Sequence, residues 1–273
     1  MSVKSPSDNA VTERHEFACK LARKVGLKAL RYWNERGVDG LDTEVKGLQD
    51  FVTKADKDAE HTIRTELANM FPEDGFVGEE TGGTAVSGGY WVVDPIDGTT
   101  NYLRGLRHWG VSIAYVLDGK TRLGIVYDAP TDRLYHAQLG YGAFRDKLPI
   151  KVSSTKDPHA ALGILGDSRR RPIEAYLQHI KALYDAGIEH RKMGSAAIGI
   201  VRVAEGIVDF YYEGHLNSWD TLAAVLIAQE AGGVIRVPEL SEFMTNGGET
   251  LCATPALADL LIELLVSETT TSN

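Results

Sequence analysis

The chain has 273 residues, of which 43% are hydrophobic and 25% charged, so it can bury a large core. A formal charge of −9 argues against a general nucleic-acid-binding role, because a phosphate backbone requires a basic surface. The N-terminus has no apolar signal core and no segment approaches the ~18 apolar residues that span a bilayer, which predicts a cytoplasmic protein without a membrane partner. We predict that both cysteines, Cys19 and Cys252, are core thiols without metal-ligating histidine neighbours.

The first part of the chain is predicted to form two helices joined by a polar connection. Apolar residues recur at helical spacing over residues 11–30. The connection over residues 40–54 includes Lys46 and is longer than most loops in compact domains, which is typical of functional loops. The second helix is predicted over Asp56–Met70, and an acid such as Asp56 at its start is also what the helix dipole favours.

Acidic residues follow the next two predicted strands. A short strand, Phe76-Val77, runs into Glu79, and the apolar strand Trp91–Val93 ends at Asp94. Asp97 comes three positions later, so one tight bend can bring two carboxylates to the same point. Converging carboxylates favour a hard cation such as Mg²⁺, Mn²⁺ or Ca²⁺ between them. The alternative is a turn in which both aspartates only satisfy nearby backbone groups.

The residues after Asp97 suggest an anion site. Gly98 lets the backbone come close to a ligand. Thr99 and Thr100 are suited to capping a helix whose free amides point at an anion such as phosphate. Acidic metal ligands beside such amides indicate metal-assisted phosphoester chemistry.

The rest of the chain predicts an antiparallel meander followed by an α/β half. Beyond residue 160, strands and helices alternate. Asp220 lies in the first turn of an apolar-faced helix, where it could also simply complement the helix dipole. The strands of the meander are predicted over residues 111–117, 123–127 and 134–138.

Three motifs together resemble those of the inositol monophosphatase family of Mg²⁺-dependent, lithium-sensitive phosphatases. They occur in family order over about residues 11–266, and they are Gly78-Glu79-Glu80, Trp91–Tyr102 and Trp219-Asp220 followed by Glu230-Ala-Gly-Gly233. The resemblance implies a mixed α/β fold, the layered αβαβα sandwich of the sugar phosphatases. It also implies one domain over residues 1–273, with approximate halves 11–150 and 151–273.

The resemblance implies a metal site with two Mg²⁺ ions, a third and weaker ion near Glu79, and Mn²⁺ as an alternative ion. The first ion would be held by Glu79, Asp94 and the main-chain carbonyl of Ile96. The second would be held by Asp94, Asp97 and Asp220. Lithium would inhibit by replacing this second ion.

The resemblance also assigns catalytic and substrate-binding residues. Glu79 and a pair formed by Thr99 and Asp56 would orient the nucleophilic water, and Lys46 would lie on the family's mobile loop. The amides of Gly98 and Thr99 would hold the phosphate. The predicted substrate-binding residues are Asp97, Gly98, Thr99, Gly194, Ser195, Ala196, Glu213 and Asp220.

The function predicted from this resemblance is hydrolysis of inositol 1-phosphate, or of a related polyol or sugar monophosphate, by a homodimeric enzyme. Histidinol phosphate, fructose 1,6-bisphosphate and 3′-phosphoadenosine 5′-phosphate are the alternative substrates. A hypothesis of a different class is a non-catalytic partner of the transcription machinery, since some bacterial relatives have such a role. Direct nucleic-acid binding is not expected from the negative charge.

Overall fold

The computed structural model describes residues 8–37, 43–47, 50–84 and 88–266. Over these residues, five layers stack in the order helix, sheet, helix, sheet, helix, which confirms the predicted sandwich. None of the helices within these ranges combines the length and apolar character that crossing a bilayer would require.

The helices of these ranges supply three of the five layers. They are α1 (Asp8–Arg36), α2 (Lys54–Met70), α3 (Thr99–Arg104), α4 (Ile173–Asp185), α5 (Ala196–Ala204), α6 (Ser218–Glu230), α7 (Leu240–Asn246) and α8 (Ala258–Leu265).

The strands form a hairpin and two larger sheets. They are β1 (Thr43–Gly47), β2 (Asp50–Thr53), β3 (Gly75–Gly78), β4 (Gly82–Thr84), β5 (Tyr90–Asp97), β6 (Gly110–Leu117), β7 (Lys120–Asp128), β8 (Arg133–Gln138), β9 (Ala143–Arg145), β10 (Leu148–Pro149), β11 (Leu162–Leu165), β12 (Glu189–Arg191), β13 (Phe210–Leu216), β14 (Val234–Arg236) and β15 (Gly248–Ala253).

The large sheet has the strand order β10-β9-β8-β7-β6-β5-β3-β4 within the described residues. Its neighbouring strands are antiparallel except β3 and β5, which are parallel, and β6, β7 and β8 confirm the predicted meander. Trp91 and Val93 of β5 face α1 and α2, whereas Val92 faces α5 and α6. Because side chains alternate along a strand, Asp94 follows Val92 on the α6 side.

The small sheet has the order β12-β11-β13-β15-β14 in the described part of the chain, and its first three strands are parallel. Helices α4 and α8 cover its outer face, and α5 and α6 lie between the two sheets. The apolar core around α5 and α6 contains residues from before and after residue 150, such as Tyr135 and Tyr211. The two halves of the chain therefore share this core.

Two segments to which no strand is assigned from the sequence form strands. The connection over residues 40–54 contains the hairpin of β1 and β2, although residues 38–42 and 48–49 and the side chain of Lys46 lie outside the described part of the structure. The glycine segment that begins at Gly82 forms β4 against β3, and a Cβ at Gly83 would lie 2.0 Å from the carbonyl oxygen of Phe76. Glycine here permits strand pairing, which its local propensity does not predict.

Candidate active site

Four carboxylates from three separate parts of the sequence meet in one cavity of about 270 Å³. Glu79 directly follows β3, Asp94 and Asp97 lie in the last part of β5, and Asp220 lies in the first turn of α6. Other predicted residues line the same cavity, namely Ile96, Gly98, Thr99, Gly194, Ser195, Ala196 and Glu213.

The pairing of β5 with β6 explains why Asp220 reaches this cavity. Asp94 lies opposite Ser112 in the sheet register, and the Ser112 hydroxyl donates to the carbonyl of Trp219 at 3.1 Å. This bond fixes the start of α6 beside the end of β5. The Asp220 carboxylate also accepts the amide of Asn217 at 2.8 Å, so this acid caps its own helix as well as facing the cavity.

The turn at the end of β5 satisfies its own backbone. The amide of Ile96 donates to the Asp94 carboxylate at 3.0 Å, and the sheet register shifts between Asp94 and Asp97. The two interpretations of this turn are therefore compatible, because Asp94 satisfies a backbone amide and also belongs to the cluster of acids. The predicted helix start is wrong in one detail, because Gly98 (φ 94°) is the N-cap of α3 and Thr99 lies inside its first turn.

The Thr99 hydroxyl is held from behind the cavity. It lies 3.1 Å from a carboxylate oxygen of Asp56 and 3.1 Å from the carbonyl oxygen of Ile96. A carbonyl and an ionised carboxylate can only accept, so the hydroxyl proton points at these partners and the oxygen lone pairs are available on the cavity side. Asp56 itself is fully buried at the start of α2.

The Asp97 carboxylate faces the cavity and also caps α5. It accepts the hydroxyl of Ser195 and the amides of Ala196 and Ala197, at 3.3 and 2.7 Å for the two amides. The hydroxyl of Ser195 accepts the amide of Ile198 at 3.3 Å. The side chain of Ser195 is therefore engaged within the protein, although the residue lines the cavity.

Burial and mutual repulsion make this cavity unfavourable for several negative charges. Burial, and then the charges of Glu79, Asp97 and Asp220, raise the pKa of Asp94 well above its usual range. Burial raises the pKa of Asp97 to about 6, against the hydrogen bonds from α5. Burial and the charge of Asp97 raise the pKa of Asp220 to about 8. Oxygen donors that repel one another in this way fit a divalent cation such as Mg²⁺ or Mn²⁺.

The lining of the cavity also includes polar residues outside the cluster of four acids. Glu213, in β13, accepts the hydroxyl of Tyr211 at 2.6 Å, and burial raises its pKa to about 7. Lys192 lines the same cavity and is paired with Asp167 at 3.0 Å. A neutral polar ligand such as a polyol would therefore meet both hydrogen-bond donors and acceptors in this cavity.

Glu60 is a positioning residue that the sequence analysis missed. It is fully buried in α2, and its carboxylate accepts the amides of Glu80 and Thr81 at 2.8 and 2.9 Å. These bonds hold the chain immediately after Glu79. The signal was present in the sequence, because Glu60 follows Asp56 by four residues and thus lies on the same helix face.

Asn101 is a second positioning residue without a predicted role. Its side-chain nitrogen lies 2.7, 2.8 and 3.2 Å from the carbonyl oxygens of His108, Met193 and Gly194. The side chain therefore connects α3 to the segment that precedes α5. Its position in the long motif around Asp94 was the available signal, but its distant partners depend on the fold.

We expect Gly78→Ala to lower catalytic activity by more than about tenfold, because the new Cβ would lie 2.5 Å from the carboxylate carbon of Glu60. The clash would displace the chain that holds Glu79. Gly88→Ala is the matched control, since its Cβ would meet no described atom within 4 Å. The comparison requires kcat/KM for both variants, and equal activity in the two would contradict the role of Glu60.

The five layers and the acidic cavity at the end of β5 define a protein with the sugar phosphatase fold. The structure of the extragenic suppressor protein suhB from Bartonella henselae matches it with a TM-score of 0.84 and 29% identity, over 91% of this chain and 96% of that chain. The model of the inositol monophosphatase family matches residues 10–270, and the chain belongs to this family.

Relatives of the chain carry two different names. The chain is 35% identical to an inositol-1-monophosphatase of Rhizobium meliloti, over 89% of this chain and 92% of the relative. It is 33% identical to a protein of Haemophilus influenzae named Nus factor SuhB, over 80% of this chain and 83% of the relative. Family membership therefore supports a phosphatase.

Proposed function

We propose that the protein is a metal-dependent phosphomonoesterase that hydrolyses inositol 1-phosphate or a related polyol or sugar monophosphate. The observation that carries this proposal is the convergence of Glu79, Asp94, Asp97 and Asp220 on one cavity beside the first turn of α3. Hydrolysis of phosphate monoesters is extremely slow without a catalyst, so it requires strong charge stabilisation. Family membership supports the same reaction class. A homodimer and inhibition by lithium are further parts of the proposal.

Glu79, Asp94 and the carbonyl of Ile96 would hold one cation, and Asp94, Asp97 and Asp220 a second. When bound, the ions would supply the positive charge that activates a water and stabilises the leaving oxygen. We expect Mg²⁺ to be the preferred ion, because carboxylate and carbonyl oxygens are hard ligands.

The protein's own groups would orient the water and hold the phosphate. The Thr99 hydroxyl directs its proton toward Asp56 and Ile96, so its oxygen can accept a hydrogen bond from the water and fix its direction. Glu79 would accept a hydrogen bond from the other O–H of the same water. The amides of Gly98 and Thr99 precede the first intrahelical bond of α3, and they would donate to phosphate oxygens.

We expect Thr99→Val to lower kcat by about 10²-fold while KM changes little, because the valine has the same shape but no hydroxyl to orient the water. Thr100→Val is the control, since Thr100 is exposed at the neighbouring position of α3. Steady-state kinetics with inositol 1-phosphate would test both variants. Similar kcat values in the two would remove Thr99 from the proposed mechanism.

The substrate is tested by comparing kcat/KM for inositol 1-phosphate, histidinol phosphate, fructose 1,6-bisphosphate and 3′-phosphoadenosine 5′-phosphate, each with and without Mg²⁺. We expect inositol 1-phosphate to be the best of the four and all turnover to depend on the metal. A preference of more than about a hundredfold for another substrate, ~2.7 kcal/mol in transition-state stabilisation, would overturn the inositol assignment.

The second candidate function is that of a Nus factor, which the name of the Haemophilus influenzae relative supports. A partner role alone does not explain why four acids that repel one another are kept in one cavity. If the folded protein released no phosphate from any phosphomonoester with Mg²⁺ or Mn²⁺, the partner role would become the better proposal.

A further inference from the structure

Three side chains of types that bind metals also lie close together. They come from parts of the sequence that do not contribute to the acidic cavity. His15 and Cys19 lie four residues apart on α1, and His136 lies in β8. One ligand atom from each residue lies within 4.8 Å of the other two, and all three residues are half-buried. The prediction that Cys19 has no histidine neighbour is therefore wrong. Cys252 is fully buried in the core, as predicted.

The hydrogen bonds of His136 determine which of its nitrogens can bind a metal. Its Nε2 lies 2.8 Å from the carbonyl oxygen of Asp146, and this oxygen can only accept. Nε2 therefore carries the proton, and Nδ1 has the free lone pair. Nδ1 lies 3.1 Å from Nε2 of His15. A histidine ligand whose other nitrogen donates to a backbone carbonyl is the usual arrangement at metal sites.

The surroundings of the cluster hold its ligands in place. The His136 ring stacks on Phe144, with an interplanar angle of 16°. Arg23 of α1 donates to the Asp146 side chain at 2.7 Å, which fixes the helix beside the turn that follows β9. Neighbouring side chains therefore support both the helix that carries His15 and Cys19 and the strand that carries His136.

We propose that His15, Cys19 and His136 form a binding site for Zn²⁺, with water as the fourth ligand. Two nitrogens bound to a tetrahedral Zn²⁺ at about 2.0–2.1 Å are about 3.3 Å apart, close to the 3.1 Å between these two. On binding, the Cys19 thiol loses its proton to solvent and His15 carries its proton on Nδ1. In the absence of a metal, Nε2 of His15 donates to His136 instead.

This site and the acidic cavity differ in the ions that they prefer. Nitrogen and sulfur ligands select Zn²⁺ and other borderline-soft ions, whereas the carboxylates of the cavity suit Mg²⁺. The cluster joins α1 to β8, and a bound ion would add a further connection to the pairs that Arg23 forms with Asp132 and Asp146. Zn²⁺ would therefore strengthen the attachment of α1 to the large sheet without taking part in phosphate hydrolysis.

Co²⁺ is the probe that separates the two sites, because only a thiolate ligand gives a sulfur-to-cobalt charge-transfer band in the near ultraviolet. The protein is reduced with a phosphine, freed of metal and titrated with Co²⁺ alone. We expect the band in the wild type and in Cys252→Ser, and its loss in Cys19→Ser. Added Zn²⁺ should remove the band from the wild type by displacement.

His15→Gln keeps the thiol and tests the site without altering Cys19. We expect this variant to bind Co²⁺ at least about tenfold more weakly by the same band, since removal of one ligand weakens a three-ligand site. The proposal is overturned if the wild type shows no band at saturating Co²⁺ or if the band survives in Cys19→Ser. An unchanged titration midpoint in His15→Gln would overturn it as well.

Discussion

Asp94→Asn should lower kcat/KM for phosphate release by about 10³-fold, equivalent to about 4 kcal/mol of transition-state stabilisation. Asp94 is shared by both proposed cation sites, so a single change removes charge from each. Asparagine keeps the oxygen that accepts the amide of Ile96, and the turn at the end of β5 should remain intact. The loss should therefore come from charge and not from unfolding.

The same variant should be more stable than the wild type when no metal is present, by about 1 kcal/mol in the free energy of unfolding. The reason is that Asp94 is repelled by Glu79, Asp97 and Asp220.

Asp167→Asn is the matched control for the loss of activity, because Asp167 lines the cavity but is paired with Lys192. We expect its activity to stay within about tenfold of the wild type, since partly exposed ion pairs contribute little. An active Asp94→Asn enzyme would contradict the proposed mechanism.

Without metal, the free energy of unfolding should fall as the pH rises from about pH 5 to about pH 8. The folded-state pKa values of Asp97 and Asp220, about 6 and about 8, lie above the ordinary value of 3.8. The folded protein therefore binds more protons than the unfolded chain over this interval, and stability decreases with pH. Each group that is protonated only in the folded state contributes about 1.4 kcal/mol per pH unit. Urea denaturation in EDTA at several pH values would measure the slope.

Mg²⁺ should remove most of this pH dependence and stabilise the protein at pH 8. Bound cations replace the protons as the source of positive charge, and saturation at a hundred times Kd adds about 2.7 kcal/mol. The stabilisation should be smaller in Asp220→Asn, which lacks one ligand of the second cation. If stability in EDTA did not fall over this pH range, the acids would not be competing for protons in the way that the cavity implies.

The sequence predicted the local parts of the site better than their arrangement. The spacing of Asp94 and Asp97 indicates a turn with two acids, because this geometry depends only on neighbouring residues. The approach of Asp220 depends on the hydrogen bond between Ser112 and Trp219, which joins parts of the chain 107 residues apart. Local patterns do not contain such a bond, and the resemblance to a known family supplied the connection instead.

Elements of the fold that depend on neighbouring residues were likewise easier to predict than elements that depend on distant contacts. The helix α2 was predicted from Asp56 and begins at Lys54, and its predicted end at Met70 is confirmed. The strand β4 was missed because its glycines are poor strand formers and its pairing depends on contact with β3. Thr99 was predicted as a cap, but Gly98 can adopt the left-handed conformation that the tight turn requires.

The double role of Asp97 links the acidic cavity to the interior of the protein. Its carboxylate holds the first amides of α5, and α5 lies in the layer between the two sheets. A cation bound to these oxygens would also restrain the carboxylate that holds the start of α5, and its loss would release this restraint. The exchange rates of the amide hydrogens of Ala196 and Ala197 would therefore report whether a cation occupies the cavity.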